Sequence, residues 1–234
     1  MDKEELYVGF IHTTPPTIGM VDYFVKQYLP EVVPVHMYNG YVKIENFKFP
    51  PGVTPSGNML RWANFGKELE RAGCLVIVSC CSLMPRATEY AARVVSVPFV
   101  QLDGIVLDTV IKNYKKVGII NTTPYSVPHI KEEVKRREEK FRKKVVCEFS
   151  NTYGALDLFN QGRFDEHDAM VIGDMRRLEK KGQDCILMGQ IPFGLMDEQL
   201  KNLSLSIPLH YVNAGTFLYL KKLIESDESG HMEL

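Results

Sequence analysis

Short apolar runs alternate with longer amphipathic stretches along most of the chain. The apolar runs include LYVGFI, VVPVHMY, CLVIVSC, VGIIN, VVCEF and DCILMG. Each is bounded by polar or turn-forming residues, which predicts buried β-strands. Stretches between them, such as TIGMVDYFVKQYL and SLMPRATEYAARVV, have the apolar spacing of helices. Because strands alternate with helices, we predict an α/β fold with parallel sheets.

One strand-and-turn pattern occurs twice. VGFIHTTPPT at residues 8–17 is matched 109 positions later by VGIINTTPYS at residues 117–126. At the same shift, AGCLVIVSCC from Ala72 aligns with KGQDCILMGQ from Lys181. One residue further on, SVPFVQLD from Ser96 aligns with SIPLHYVN from Ser206. Three matches in the same order predict two similar α/β halves.

The repeat predicts two domains. We place the first at residues 1–103, completed by residues 207–234, and the second at residues 104–206. A chain of 234 residues, of which 45% are hydrophobic, can fill one large core or two small ones.

Composition and charge argue against several kinds of partner. The net charge of −1 gives no support for a nucleic-acid partner. The apolar runs are too short to cross a membrane, and the start, MDKEELYVGF, lacks the apolar segment of a secretory signal. The five cysteines have no disulfide or zinc spacing, so we expect a reduced, cytoplasmic protein. The six histidines are scattered, which predicts no metal site.

Polar residues follow the predicted strands at equivalent places in the two halves. In parallel α/β sheets, ligands bind outside the carboxyl ends of strands, where helix N-termini favour anions. The first half offers His12, Thr13, Thr14, Cys80, Cys81 and Ser82, and the second offers Asn121, Thr122, Thr123, Gly189 and Gln190. These hydroxyl and amide groups predict a polar cleft for a small carboxylate. The alternative is that each Thr-Thr-Pro turn only caps a helix.

Cys80 is the candidate reactive residue. A thiol at a strand end that points at a helix N-terminus has a lowered pKa, and we expect this of Cys80. A thiolate there can remove a proton from carbon or attack an electrophile. The alternative is a buried cysteine that acts as a small apolar residue, which we expect of Cys74, Cys147 and Cys185.

Four motifs together resemble the aspartate/glutamate/hydantoin racemase superfamily over nearly the whole chain. They are IHTTPPTI after the first strand, VIVSCCSLMP after the third, GIINTTPYS at the start of the second half, and ILMGQIPFG near the end. The resemblance implies two α/β domains related by pseudo-twofold symmetry, with the active site between them. It also implies a reaction without cofactor or metal at the α-carbon of a small acid, and a homodimer.

The same resemblance implies roles for particular residues. In this family two cysteines, one from each half, flank the α-carbon, and Cys80 matches the first. Cys81 and Ser82 take the places of the polar pair that holds the substrate carboxylate. Thr122 and Thr123 match the carboxylate-binding turn of the second domain. Asn39 and Gly40 fall where a loop lines the pocket.

The chain departs from the family pattern at the second cysteine. The shift of 109 places Gly189 opposite Cys80, and neither Gln190 nor Ile191 is a cysteine. Three outcomes are open. Another group, of which His12 is the candidate by its pKa, could serve as the second base of a racemase. A single-cysteine decarboxylase or cis–trans isomerase is the second outcome, and a non-catalytic protein that binds a small acid is the third.

Overall fold

The computed structural model describes residues 5–212 and 214–228, which form two units. The first unit extends to Ile105 and includes the C-terminal helix, and the second spans Val106–Val212. Both are α/β units, as the sequence predicts.

The first unit has a parallel sheet in the order β2-β1-β3-β4. Its elements are β1 (Leu6–His12), α1 (Pro16–Tyr28), β2 (Val32–Tyr38), α2 (Gly40–Asn46), α3 (Ser56–Arg71), β3 (Cys74–Ser79), α4 (Pro85–Ala92) and β4 (Phe99–Gln101). Helix α5 (Leu102–Asn113) follows β4 directly and leads into the second unit.

The second unit has a parallel sheet in the order β6-β5-β7-β8. Its elements are β5 (Lys116–Asn121), α6 (Ser126–Lys140), β6 (Val146–Asn151), α7 (Tyr153–Asn160), α8 (Phe164–Lys180), β7 (Cys185–Met188), a 3₁₀ segment (Ile191–Met196), α9 (Asp197–Lys201) and β8 (Leu209–Tyr211). The chain then enters α10 (Ala214–Glu228), which belongs to the first unit, where Phe217 stacks on Phe24 of α1. A boundary at residue 207 would put β8 in the first domain, but its pairing with β7 puts it in the second.

The two sheets repeat the same strand order, and the repeat extends to individual contacts. A Cβ at Gly9 of β1 would lie 2.7 Å from Leu69 Cδ1 of α3, and one at Gly118 of β5 would lie 3.0 Å from Leu178 Cδ1 of α8. Both glycines and both leucines are separated by the shift of 109 found in the sequence. Because glycine has no side chain, α3 can approach β1 closely in the first unit, and the equivalent helix α8 can approach β5 in the second.

A second pair of equivalent contacts lies before the last strand of each sheet. Glu70 of α3 accepts a hydrogen bond from the backbone N–H of Ser96, and Glu179 of α8 accepts one from the N–H of Ser206. These carboxylates bind chain segments that lead into β4 and β8. The two halves are thus similar in packing as well as in topology.

Four short or connecting helices, α2, α5, α7 and α9, were not expected from the sequence. Helix α2 lies in a stretch rich in Pro and Gly, and it begins because the Asn39 side chain accepts a hydrogen bond from the Tyr41 N–H at 3.0 Å. Helix α3 begins at Ser56, directly after Pro55. Within the described residues, the helices are too short or too polar to be membrane spans.

Candidate active site

The carboxyl ends of the three longest strands of the first sheet bring His12, Asn39 and Cys80 to one edge. Ile11 lies opposite Ser79 in the register of β1 and β3, and the Cys80 N–H donates to the Ile11 carbonyl at 2.9 Å. The Asn39 N–H donates to the His12 carbonyl at 3.0 Å. His12 and Cys80 are therefore neighbours across adjacent strands, as the sequence predicts for residues at parallel strand ends.

Cys80 is nearly buried, with 9% of its surface exposed, and its Sγ lies 3.9 Å from the Val78 carbonyl. Burial, and then the neighbouring Cys81 and Asp103, raise the pKa of the Cys80 thiol well above its ordinary value. The expectation of a lowered pKa is thus wrong for this structure. Helix α4 begins only at Pro85, so no helix N-terminus directly follows the thiol, whereas a carboxylate lies near it. Cys80 is a protonated thiol at neutral pH.

Cys81 lies in a different environment from Cys80. It belongs to the hydrophobic cluster around Trp62 and Ile77 beneath α3. Its Sγ accepts a hydrogen bond from Thr13 Oγ1 at 3.0 Å, and the Leu83 N–H also donates to it. Burial raises the pKa of the Cys81 thiol, and these two donors oppose that increase. We predicted Cys81 and Thr13 as substrate ligands, but their polar groups are bound to each other below the surface.

His12 is fully buried and both of its ring nitrogens have partners. Nδ1 lies 2.8 Å from Thr17 Oγ1, and Nε2 lies 2.9 Å from Nδ1 of His36. Burial, and then the charge of His36, lower the pKa of His12 to about 4, while Asp22 raises it. Contrary to the expectation from its ordinary value, the pKa of His12 is not near neutrality, and neither ring nitrogen is free to bind substrate directly.

Three of the predicted ligands of the first unit remain available. Thr14 and Ser82 are half-buried, and their hydroxyls make no hydrogen bond within the described part of the chain. Asn39 uses its Oδ1 to cap α2, which leaves its side-chain NH₂ group for a ligand. Together they present hydroxyl and amide donors at the carboxyl-terminal edge of the first sheet.

In the second unit, Thr122 and Gln190 bind each other. Gln190 Oε1 accepts hydrogen bonds from the Thr122 N–H at 3.1 Å and from Thr122 Oγ1 at 2.8 Å. Because the backbone N–H can only donate, the oxygen of the Gln190 amide must face Thr122. The Gln190 NH₂ group then points elsewhere, and it has no partner in residues 5–212 and 214–228. Gln190 thereby keeps two donor hydrogens for a ligand.

Asn121 is fully buried and closes the turn after β5. Its Oδ1 accepts from Ser126 Oγ and its Nδ2 donates to the Thr123 carbonyl. We predicted Asn121 as a substrate ligand, but both ends of its amide are used within the turn. Thr123 Oγ1 accepts a long bond from the Tyr125 N–H, which leaves the Thr123 hydroxyl hydrogen for a ligand.

The threonine bonds show which positions of the two units correspond. Thr13 donates to Cys81, and Thr122 donates to Gln190, each across 68 residues. Gln190 therefore has the structural place of Cys81, and Gly189 has that of Cys80. Cys185, the cysteine nearest to Gly189 in the sequence, is fully buried within β7.

Asp103 is a residue near the site that the sequence did not single out. It lies in the first turn of α5 and acts on both Cys80 and Cys81. Gln101 Nε2 donates to Asp103 Oδ1 and to the Cys81 carbonyl, both at 2.8 Å. No pattern in the sequence pointed to Asp103, because α5 itself was not expected. Within the described residues, no three His, Cys, Asp or Glu side chains are grouped to hold a metal ion.

The comparisons with known proteins identify the family of the chain. The family model for Asp/Glu/hydantoin racemase matches residues 53–213, which is more than half of the chain and includes Cys80. The chain belongs to the Asp/Glu/hydantoin racemase family. None of the curated proteins matches it in sequence.

Several solved structures of racemases and their homologues share the fold. An aspartate racemase homologue from Pyrococcus horikoshii OT3 is 20% identical, with a TM-score of 0.65, and the match covers 95% of this chain and 99% of that one. The aspartate racemase of Picrophilus torridus is 13% identical, with a TM-score of 0.67 and coverage of 96% and 95%. The glutamate racemase of Francisella tularensis, solved with D-glutamate, is 13% identical, with a TM-score of 0.68 and coverage of 96% and 82%. At these identities the likeness establishes the fold of this racemase family member and no more.

Proposed function

We propose that the chain is a cofactor-independent amino-acid racemase or epimerase of the Asp/Glu type, with Cys80 as an acid–base group at the α-carbon. Membership in the racemase family supports an isomerase of this kind. The observation that carries the role of Cys80 is its position at the end of the central strand β3, beside His12, at the edge where α/β sheets bind ligands.

The proposed substrate class follows from hydrogen-bond donors that lie at the strand ends of each unit. Thr14, Ser82 and the Asn39 amide offer uncommitted hydrogens, and Thr123 and Gln190 do so in the second unit. Such donors bind a carboxylate and stabilise the negative charge that develops when the α-proton leaves. Aspartate and glutamate, which the names of the structural relatives include, are the first substrates to test.

The protonation state of Cys80 sets the direction of its first step. Because burial raises its pKa, the thiol starts as a proton donor. A proton donor on one side of the carbon needs an acceptor elsewhere if a stereocentre is to be inverted. The glycine at the position equivalent to Cys80 supports the second candidate, a single-cysteine decarboxylase or cis–trans isomerase of a small dicarboxylic acid, which needs only one such group.

Proton exchange at the α-carbon in heavy water tests the proposal. We expect the protein to introduce deuterium into D- or L-aspartate or glutamate, and the Cys80→Ser variant to do so on the order of 10²–10⁴-fold more slowly for the enantiomer whose α-proton Cys80 exchanges. Cys81→Ser is the matched control, since Cys81 is 8% exposed against 9% for Cys80 but belongs to the core cluster. Loss of exchange in Cys81→Ser and not in Cys80→Ser would contradict the role of Cys80 and assign the reaction to Cys81.

Two results would favour the alternatives. Release of CO₂ from a substituted malonate, or isomerisation of maleate, without α-proton exchange of any amino acid would support the single-cysteine reactions. A rise in melting temperature with aspartate or glutamate and no turnover of either would support a binding protein. The predicted homodimer and cytoplasmic location remain predictions; sedimentation would test the former.

A further inference from the structure

A chain of four side chains connects the turn after β1 with the protein surface. Thr17 Oγ1 lies 2.8 Å from His12 Nδ1, His12 Nε2 lies 2.9 Å from His36 Nδ1, and His36 Nε2 lies 2.8 Å from Asp22 Oδ1. Thr17 is half-buried at the start of α1, and the Asp22 side chain is 49% exposed. The two imidazoles thus connect Thr17 with Asp22 through direct hydrogen-bond contacts.

The hydrogen bonds of this chain can be arranged in two ways. In the first, the Thr17 hydroxyl donates to His12 Nδ1, His12 Nε2–H donates to His36, and His36 Nε2–H donates to Asp22, so that both imidazoles are neutral. In the second, the Thr17 hydroxyl donates to the Thr14 carbonyl, which lies 2.7 Å from it. His12 Nδ1–H then donates to Thr17, His36 Nδ1–H donates to His12, and His36 is an imidazolium paired with Asp22.

The two arrangements differ by one proton. We call the neutral arrangement the empty relay and the charged arrangement the loaded relay. We assign the additional proton to His36, because its Nε2 lies 2.8 Å from the Asp22 carboxylate, whereas burial lowers the pKa of His12 to about 4. The charged groups that act on His12 are Asp22 of α1 and His36 of β2, and the ring of His36 stacks on Phe10 at 5.6 Å.

We propose that Thr17, His12, His36 and Asp22 form a proton relay that acts as the second acid–base group of the reaction, in the role of the thiol that Gly189 cannot provide. The proposal rests on the proposed racemase function, because it needs a carbon acid as substrate. Thr17 would be the catalytic residue, and His12, His36 and Asp22 would supply and hold its proton.

The transfer is balanced. From the loaded relay, the Thr17 hydroxyl proton goes to the carbanion, the His12 Nδ1 proton goes to the Thr17 oxygen, and the His36 Nδ1 proton goes to His12 Nε2. The product is the empty relay and a protonated carbon. In the reverse direction the empty relay accepts the α-proton, and the Cys80 thiol donates a proton to the resulting carbanion.

The second unit offers a natural comparison. The positions of His12 and Thr17 are occupied there by Asn121 and Ser126, and Ser126 Oγ lies 3.1 Å from the Thr123 carbonyl, as Thr17 Oγ1 does from Thr14 at 2.7 Å. The hydroxyl contact is thus common to both turns. Only the first turn has an imidazole behind the hydroxyl, and only the first has a thiol at the neighbouring strand end.

Separate assays of the two enantiomers in heavy water test the relay. If Thr17 and Cys80 serve different enantiomers, Thr17→Val should keep α-proton exchange of one enantiomer and lose that of the other, with inversion slowed about 100-fold. Cys80→Ser should show the opposite preference. Thr17→Ser keeps the hydroxyl and should restore both rates. His36→Gln should resemble Thr17→Val, and Asp22→Asn should have a smaller effect of the same sign.

A matched control and an independent measurement separate the outcomes. His167→Gln removes a buried histidine that contacts Asp168 at 2.7 Å in the second unit, and it should leave the enantiomer preference unchanged. Equal slowing of both enantiomers in Thr17→Val and His36→Gln would overturn the relay, because a merely structural role predicts that result.

If the unaltered protein exchanges no α-proton, the proposed function fails, and the relay is then tested by the tautomers of His12. ¹⁵N spectra should show His12 changing from the Nε2–H to the Nδ1–H form as His36 gains its proton, and a single tautomer throughout would contradict the relay.

Discussion

The turns after β1 and β5 share the same hydrogen bonds but carry different reactive groups. In both, a threonine hydroxyl donates to a side chain 68 residues away, and a second hydroxyl four residues later contacts a carbonyl of the turn. The first turn adds an imidazole and ends beside a thiol, whereas the second has an amide and a glycine at those places. A duplicated fold thus preserves the contacts that hold a turn, while the groups able to move protons are concentrated in one half.

Acid should reveal the difference between His12 and Asn121 most strongly. The pKa of His12 is about 4 in the folded protein and 6.5 ordinarily, so the unfolded chain binds the proton more readily. Above pH 6.5, His12 is neutral in the folded and the unfolded protein, and its full contribution to stability is present. As the pH falls towards 4, the unfolded chain binds a proton that folded His12 does not, and the free energy of unfolding decreases by about 3 kcal/mol. Urea unfolding at a series of pH values measures it.

His12→Asn introduces the residue of the second turn and serves as the comparison. We expect the variant to be less stable at neutral pH but to lose less stability between pH 6.5 and 4. The slope that remains comes in part from His210, whose pKa burial also lowers. An unchanged slope would show that His12 is not held neutral.

The paired glycines should differ in the cost of an added methyl group. Gly9→Ala places a Cβ 2.7 Å from Leu69, and Gly118→Ala places one 3.0 Å from Leu178. Overpacking of this kind costs about 1–3 kcal/mol, and we expect Gly9→Ala to be at the upper end. Combining Gly9→Ala with Leu69→Val tests the contact: a double variant that is as unstable as the sum of the single changes would show that the leucine is not responsible.

The paired threonines should have similar effects on stability and different effects on thiol chemistry. Thr13→Val and Thr122→Val each remove the donor of one hydrogen bond, buried for Thr13 and partly buried for Thr122, which costs about 1 kcal/mol. Thr13→Val should also slow alkylation of Cys81, because a donor that opposes the rise of its pKa is lost. Thr122→Val is the control, and slower alkylation in that variant would contradict this assignment.

The paired glutamates should give the smallest and the most equal effects. Glu70→Gln and Glu179→Gln weaken the bonds to Ser96 and Ser206. The bond from Lys67 and then that from Ser96 lower the pKa of Glu70, and the bonds from Ser206 lower the pKa of Glu179. Both groups lie near solvent, so we expect small reductions in melting temperature of equal size. A large difference between them would indicate that the last strands of the two sheets are held differently.

The sequence alone determined the α/β class, the strands, and the equivalence of the two halves. It could do so because a buried strand needs a short apolar run, and because the shift of 109 also relates Gly9 with Leu69 to Gly118 with Leu178. It also placed His12 and Cys80 together, since parallel strands end at one edge of a sheet. Short helices such as α2 and α5 escaped it, because their boundaries depend on single capping bonds and on neighbouring elements.

Only the tertiary structure decided what the polar groups of the site can do. A sequence shows that Cys80 is a thiol and that His12 is an imidazole, but their pKa values depend on burial and on neighbours from other elements. Asp103 is such a neighbour of Cys80, and His36 is one of His12. The commitment of Cys81 to Thr13 and the chain from Thr17 to Asp22 join residues on different elements. The sequence thus determines which residues reach the edge of the sheet, and folding determines which of their hydrogens are free, because hydrogen bonds and desolvation depend on neighbours in space.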